Sequence, residues 1–481
     1  MAVVSTTLSF LQLGMQGASV LLPALIVLRC IYRLFWHPLS GIPGPKIAAC
    51  TSLWLAYHTF VGDESSVIFE LHRKYGRTLR VAPKDVDIDD GDAVEPIYAA
   101  QGGFPKTPQY SKFDIDGHNT IFSALTLPER ARRAKAVSPL FSTASIRNAN
   151  ATLDKVIDDF VQRLRTDGQT GEPVNLLNAA RSMAIDAISA YLFQQRYGGV
   201  EEKTEIMSAS PFVDAFVGVG AFFNLFPGPV GDLVQKLADY WCADAKSNTA
   251  FALIDSFTKQ LIASSVPKSG SYQSRLLEQV SPQQSQIELK DACFAGTDST
   301  GTNTATIIWY LTKYPDMYSR LCEEVHQRTA QKEDPSTGPY LRGVVREGLR
   351  LSWANPTRLP REVPKGGWQF KGRFYPEGTS VGVSTTQLHL DEAVFPEPQS
   401  FLPERWENAT VAMLTNFFAF GKGTRTCIAK NLAMAELTLA TLKVAQSDIL
   451  RGAEVVTQRI ELKEWFNSRI KDEEIIIRLA K

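Results

Sequence analysis

The sequence predicts a mainly helical α+β body with smaller β regions, preceded by a single N-terminal membrane helix. Three observations carry that expectation. No Asp, Glu, Lys or Arg occurs before Arg29 in a chain of 481 residues. From Pro128 to about Asn355 apolar residues recur three and four apart, the period of an amphipathic helix. Strand and turn signals are confined to residues 60–100 and 357–390, too few for a sheet-dominated fold.

The uncharged run Leu8–Leu28 is 21 residues long, enough to cross a hydrocarbon core of roughly 30 Å as a helix. Gln12, Gln16, Gly14, Gly17 and Pro23 weaken it, and a cleaved signal peptide or a buried core helix are the alternatives. A signal peptide carries its basic residues before the apolar stretch, whereas Arg29 and Arg33 follow it here. That order favours an uncleaved, single-pass anchor in the endoplasmic reticulum membrane, with the N-terminus in the lumen and the body facing the cytosol. Six cysteines (30, 50, 242, 293, 322 and 427) form no CxxC pair, which argues against a disulfide framework and a structural zinc site. The Asn-Ala-Thr sequons at Asn150 and Asn408 read as chance in a cytosolic domain.

Next comes His37-Pro-Leu-Ser-Gly-Ile-Pro-Gly-Pro45, whose prolines and glycines predict a stiff, extended connector. Strands are expected near Arg77–Val81 and Asp85–Ile88, and helices over Asp154–Leu164 and Ala305–Leu321. Turn signals recur at Pro-Lys-Gly-Gly (364–367) and Pro-Glu-Gly (376–378). No repeat or internal linker interrupts the body, so the expected organisation is an anchor over 1–36, a hinge over 37–49 and one domain over 50–481. Fifty-one Lys plus Arg balance 51 Asp plus Glu, so no global charge draws the chain to nucleic acid, and none is expected as a partner.

The chemistry concentrates in Phe420-Gly-Lys-Gly-Thr-Arg-Thr-Cys427-Ile-Ala-Lys-Asn-Leu-Ala-Met-Ala-Glu436, a glycine-rich loop feeding a helix expected to start around Ile428. Helix N-terminal amides would favour a thiolate at Cys427, and a bound ferric ion would deprotonate the sulfur outright. Arg425 is spaced to pair with a cofactor carboxylate. The other five cysteines read as small buried hydrophobes. Gly296, inside an expected helix, costs about 1 kcal/mol relative to alanine, and close approach of a ligand would explain it. Asp298 and the hydroxyls of Ser299 and Thr300 suit proton relay to that ligand, or else a bent helix with a solvated acid.

These residues resemble the cytochrome P-450 superfamily. The Phe-x-x-Gly-x-Arg-x-Cys setting of Cys427, Ala295-Gly-Thr-Asp-Ser-Thr300, Glu347-Gly-Leu-Arg350 and Phe401-Leu-Pro-Glu-Arg-Trp406 all occur in the family's order, and the proline-rich connector resembles membrane-bound fungal members. The resemblance implies the cytochrome P-450 fold and a haem b whose iron takes its axial thiolate from Cys427, a ligand that favours O–O cleavage. It implies cofactor contacts from Phe420 and Arg425, a propionate contact from Arg361 on a β-strand, proton delivery by Asp298 and Ser299, and a buried Glu347, Arg350 and Arg405 network bracing the cysteine loop. Three departures limit the transfer. Ser299 stands where the family has threonine, and Ala429 where it has glycine. Arg130 and Ala134 stand where His or Trp and then Arg are usual, so Arg130 or Arg133 would supply the missing propionate contact, unless that basic cluster docks an acidic electron donor or is a solvated helix face.

The function implied is a monooxygenase that inserts one atom of O2 into an apolar small molecule, a fungal secondary metabolite such as a terpenoid. Electrons would come from NADPH through a separate NADPH–cytochrome P-450 reductase, because the chain has no Gly-x-Gly-x-x-Gly motif or flavin domain. The alternatives are a haem-thiolate enzyme that desaturates or rearranges without net oxygen insertion, and a non-enzymatic haem sensor or carrier. The apolar run Ala215–Pro227 would line an access channel, lie against the membrane, or pack in the core.

Overall fold

Side-chain caps and prolines set the helix boundaries in the computed structural model, which describes residues 21–203, 207–225, 228, 231, 233–235, 237 and 245–480. Thr126 opens α1 (Leu127–Val137) with a capping box: its hydroxyl accepts from the Glu129 N–H, and the Glu129 carboxylate accepts from the Thr126 N–H. In α2 (Asn150–Gln169) the buried stripe is Leu153, Val156, Ile157, Phe160, Val161 and Leu164, the predicted periodicity. Asn175 caps α3 (Leu176–Ile188) by accepting from the N–H groups of Leu177 and Asn178. Ser281 caps α4 (Pro282–Lys313), and Pro282 takes the first position, where an N–H is not needed.

The pattern expected as one helix over Ala305–Leu321 is two. Pro315 has no N–H to continue the ladder, so α4 ends at Lys313 and α5 (Pro315–Ala330) starts afresh. After α6 (Pro339–Leu351) the chain passes through the strand and turn region to α7 (Lys430–Ser447), whose N-terminus follows the cysteine loop. Helices α2 to α7 share one core, in which Phe160, Leu177, Met183, Leu289, Leu311, Leu321, Val344 and Val444 are sealed from solvent.

Helix α3 is buried at every position except Asn178, which requires close approach to α4. Gly301 provides it: a Cβ there would sit 2.6 Å from Arg181 Cγ and 2.9 Å from its Cα. Gly296 has the same kind of reason, since its Cβ would meet Ile188 Cδ1 at 2.1 Å. The glycine read from sequence as making room for a ligand therefore makes room for α3.

The principal sheet contains β1 (Thr78–Ala82), β2 (Asp85–Ile88), β3 (Arg361–Glu362) and β4 (Ser380–Gly382), in the order β1-β2-β4-β3. β1 and β2 form an antiparallel pair, β2 runs parallel to β4 with Val86 opposite Val381, and β3 is antiparallel to β4 with Arg361 opposite Val381. Its apolar face carries Val86, Ile88, Val381 and Val383, and Leu39 and Ile42 of the connector pack onto it. The connector is consequently not extended. Ser40 N–H donates to His37 O and Ile42 N–H to Leu39 O, and Lys46–Cys50 forms a short helix, because burying two apolar side chains favours turns that keep them on the sheet.

Residues 21–35 are helical, with Leu21, Leu22, Leu25, Ile26, Val27 and Leu28 exposed. Residues 8–20 of the expected span lie outside the described residues, among which no helix is long and apolar enough to cross a membrane. In the apolar run Ala215–Pro227, Val217, Ala221 and Phe223 are buried in core contacts, while Phe226 and Pro227 lie outside the described residues.

The α3–α4 crossing yields a paired test. Gly301→Ala should lower stability by about 1–3 kcal/mol, because its neighbours at 2.9 and 3.0 Å are the backbone Cα and N of Arg181. Gly218→Ala, with open space around its Cβ and a φ of −54°, should leave the thermal midpoint unchanged or raise it.

Candidate functional site

The loop before α7 is shaped by backbone contacts. Gly421 and Gly423 have φ of +64° and +69°, and a Cβ on Gly423 would lie 1.9 Å from Tyr98 O, so only glycine fits that position. The Thr424 hydroxyl donates to Gly102 O at 2.6 Å, and Cys427 N–H donates to Phe420 O at 2.9 Å, closing the loop around the Phe420 ring. Helix α7 begins at Lys430, two residues later than expected.

Cys427 is accessible by surface area, while the protein around it pushes its thiol pKa up by burial. The Ala429 N–H bonded to it and the charge of Lys430 pull the other way without winning. The Ala429 N–H acts in the direction expected of a helix end, and a bound metal ion would deprotonate the sulfur outright.

A cluster of cations lies beside the loop. The Arg425 guanidinium donates through Nη2 to Leu125 O at 3.1 Å, while its Nη1 is buried without a hydrogen-bond partner among the described residues. Burial, Arg130 and Arg361 together pull its pKa down to about 10. Arg361, on β3, is buried, donates to the Tyr110 hydroxyl and to Pro360 O, both at 2.9 Å, and lies over the rings of Tyr98 and Tyr110. Arg133 is engaged elsewhere, with Glu288 at 3.0 Å and Asn119 at 2.7 Å, so Arg130 is the member of the α1 basic cluster that faces Arg425.

Sequence reasoning missed Lys106. Its ammonium donates to Phe122 O and sits 4.1 and 4.0 Å from the ring centroids of Tyr110 and Phe122, and burial, Arg361 and Arg425 hold its pKa well below the ordinary range. The available signal was a single lysine inside Phe104-Pro-Lys-Thr-Pro-Gln-Tyr110, a segment otherwise without charge.

The expected relay residues do not meet. Asp298 Oδ1 accepts from Arg181 at 3.2 Å and Oδ2 from Asn467 at 3.2 Å, and Arg181 also pairs with Asp214 at 2.9 Å. Burial pushes the Asp298 carboxyl up to about 6 in spite of Arg181. Ser299 instead donates back to Ala295 O at 2.9 Å, on a stripe of α4 (Ala292, Ala295, Gly296, Ser299) that stays accessible while Thr297, Asp298 and residues 300–306 are buried. Thr300 donates to Glu436 of α7 at 3.2 Å.

Glu347 has the partners that the resemblance implied. Its two oxygens accept from Arg350 at 2.9 and 2.8 Å, from Arg405 at 3.0 Å, from Trp406 Nε1 at 2.9 Å and from Leu402 N–H at 3.1 Å.

The family model for cytochrome P450 matches residues 43–447, so the chain belongs to that family. It is 35% identical over 486 residues to cytochrome P450 monooxygenase mfmF of Annulohypoxylon moriforme, covering 94% of this chain and 97% of that protein. It is 28% identical to a fusicoccadiene C-8 hydroxylase of Alternaria brassicicola over 85% of this chain and 84% of that one. To a pisatin demethylase of Fusarium vanettenii it is 26% identical, over 90% and 88%. The chain is accordingly an enzyme of the cytochrome P450 monooxygenase class, a class that works with haem, a thiolate ligand, O2 and an electron donor. The residues present fit that cofactor: an accessible cysteine, and beside it cations with a buried N–H, unpartnered among the described residues, that carboxylates would satisfy.

Glu436 gives a pH-dependent prediction. Burial raises its pKa from 4.5 to about 8 against the Thr300 hydrogen bond. Between those values the unfolded chain has released a proton that the folded chain retains, so this residue's contribution falls as pH rises, by about 1.4 kcal/mol per unit. Glu436→Gln keeps an acceptor for Thr300 and removes that loss. Its thermal midpoint should exceed the wild type's by a margin that widens from acidic to mildly alkaline pH; a margin independent of pH would contradict it.

Proposed function

We propose that the chain is a haem-thiolate monooxygenase in which Cys427 holds the iron of haem b, with Phe420 beside the ring and Arg425, Arg361, Arg130 and Lys106 taking the propionates. The observation that carries this reading is the pairing of an accessible Cys427 with a cluster of cations around Arg425 of the same loop that is short of anions. When bound, the haem supplies the activation of O2. The remaining work falls to side chains of this chain. Ser299, on the accessible stripe of α4, offers a hydroxyl for proton transfer. Asp298, held by Arg181 and Asn467 one position away, is the acid that recharges it on rotating, and a pKa of about 6 lets it exchange protons near neutrality.

The substrate is an apolar small molecule of fungal secondary metabolism, a terpenoid in our reading, supported by the likeness to a fusicoccadiene C-8 hydroxylase. The electron donor is NADPH through NADPH–cytochrome P-450 reductase. Exposed apolar side chains along helical residues 21–28 support an anchor over 1–36, with a hinge over 37–49 and the catalytic domain over 50–481 facing the cytosol from the endoplasmic reticulum membrane.

Reconstitution with reductase, NADPH, candidate terpenes and isotopically labelled O2 tests the reaction: one labelled oxygen atom per product is expected. An unlabelled product would mean desaturation or rearrangement, and no product with any substrate would favour a sensor or carrier. Cys427→Ala should abolish the thiolate-type Soret band of the reduced carbon monoxide complex; a variant that retains the band would exclude Cys427 as ligand.

A further inference from the structure

The imidazole of His389 joins two parts of the site by hydrogen bonds, the Glu347–Arg350 pair and the segment that leads into the cysteine loop. His389 closes the short helix Thr385–His389 and is fully buried. Its Nδ1 lies 3.0 Å from Arg350 O, a carbonyl that can only accept, so Nδ1 carries the hydrogen. Its Nε2 lies 3.0 Å from the backbone nitrogen of Phe418, an N–H that can only donate, so Nε2 offers its lone pair. The two partners thus fix one neutral tautomer. On the first side, His389 O also accepts from Arg350 Nη1 at 2.8 Å, so the residue is held twice to the Glu347–Arg350 pair. On the second side the ring stacks on Phe417, with centroids 5.7 Å apart and planes 13° apart. From there Phe418 O accepts from Gly421 N–H, and Phe420 O from Cys427 N–H, each at 2.9 Å.

We infer that His389 is a positioning residue for Cys427: its neutral ring transmits the fixed geometry of the Glu347–Arg350 pair to the cysteine loop through the Phe418 N–H. This rests on the reading of Cys427 as the haem ligand. Burial and the charge of Arg350 hold the imidazole pKa down to about 3, so the acceptor stays neutral over the working pH range. A protonated ring would present two donors and set Nε2–H against the Phe418 N–H.

Two substitutions separate this role from general packing, because both remove the ring and its stacking on Phe417. The amide nitrogen of His389→Asn replaces Nδ1 and keeps the bond to Arg350 O but cannot reach Phe418. The amide oxygen of His389→Gln replaces Nε2 and keeps an acceptor for Phe418. In the haem-free chain, amide hydrogen exchange of the segment containing Phe418 should be about tenfold faster in Asn and near wild type in Gln, the effect of losing one buried hydrogen bond. In the haem-loaded, reduced and carbon monoxide-bound protein, conversion of the thiolate-type Soret band to the thiol type should accelerate by a similar factor in Asn alone. Equal behaviour of the two variants in either measurement overturns the proposal. A wild type without the thiolate-type band overturns the role toward Cys427 by removing the ligand assignment, which the haem-free exchange result distinguishes from a failure of the brace. Should Asn not fold, nitrogen NMR of histidine-labelled wild type decides: one histidine must remain the neutral Nδ1–H tautomer from about pH 8 to about pH 5, well below the ordinary histidine pKa, and its absence overturns the proposal.

Discussion

The rest of the structure leans on a carboxylate that has no water to fall back on. Glu347 is sealed in the interior, where an isolated charge costs several kcal/mol, and an ion pair with Arg350 offsets this only if the remaining hydrogen-bonding capacity is filled. It is filled. Five N–H groups converge on the Glu347 oxygens, and Arg350 spends its other donors on the carbonyls of His389, Pro398 and Ser400. Each carbonyl belongs to a stretch with little regular structure, so the pair stands in for a sheet or helix as the organiser of residues 389–406. The cysteine loop is itself irregular, and the segment leading into it is tied to that stretch by the bond from Phe418 N–H to His389.

Several buried charges elsewhere are paired with opposite charge, and the contrast with the cysteine loop is informative. Arg181 lies between Asp214 and Asp298, and Asp186 accepts from three consecutive N–H groups at 198–200 and from Arg196. Around Arg425 the balance fails: Arg130, Arg361 and Lys106 add like charge, and a guanidinium N–H has no partner among the described residues. A cluster of cations short of anions is stabilised by whatever anion binds there, so anion affinity and stability are linked in one quantity.

What was legible in the sequence was what local chemistry dictates. The cysteine loop announces itself because its glycines and its cysteine lie within eight residues, and strands β1 and β2 because the runs that form them are short and bounded by turns. Contacts made at long range were not legible. Asp298 looks like a free acid until Arg181, 117 residues earlier, is folded against it. Gly296 looks like space for a ligand until Ile188 fills that space. Lys106 has no pattern at all, since a lone lysine acquires meaning only from arginines that β3 and the cysteine loop bring to it. The connector was misread for a related reason: its prolines permit an extended chain or turns, and the sheet face under Leu39 and Ile42 decides between them.

Three raised acids lie on α4 and a fourth contacts it. Burial pushes Glu288 up to about 7, Asp291 to about 6 and Asp298 to about 6 on α4, and Glu436, which accepts from α4, to about 8. Each lowers stability at neutral pH relative to an amide of the same shape, because the folded chain must either hold a proton that water would take or bury the charge. Three of them bracket the accessible stripe at Ala292–Ser299, Asp291 and Asp298 along α4 itself and Glu436 through Thr300. Local rules broken at a stability cost tend to coincide with function. The stripe therefore lies among groups that can hold or release a proton near neutral pH, as the proposed roles of Ser299 and Asp298 require.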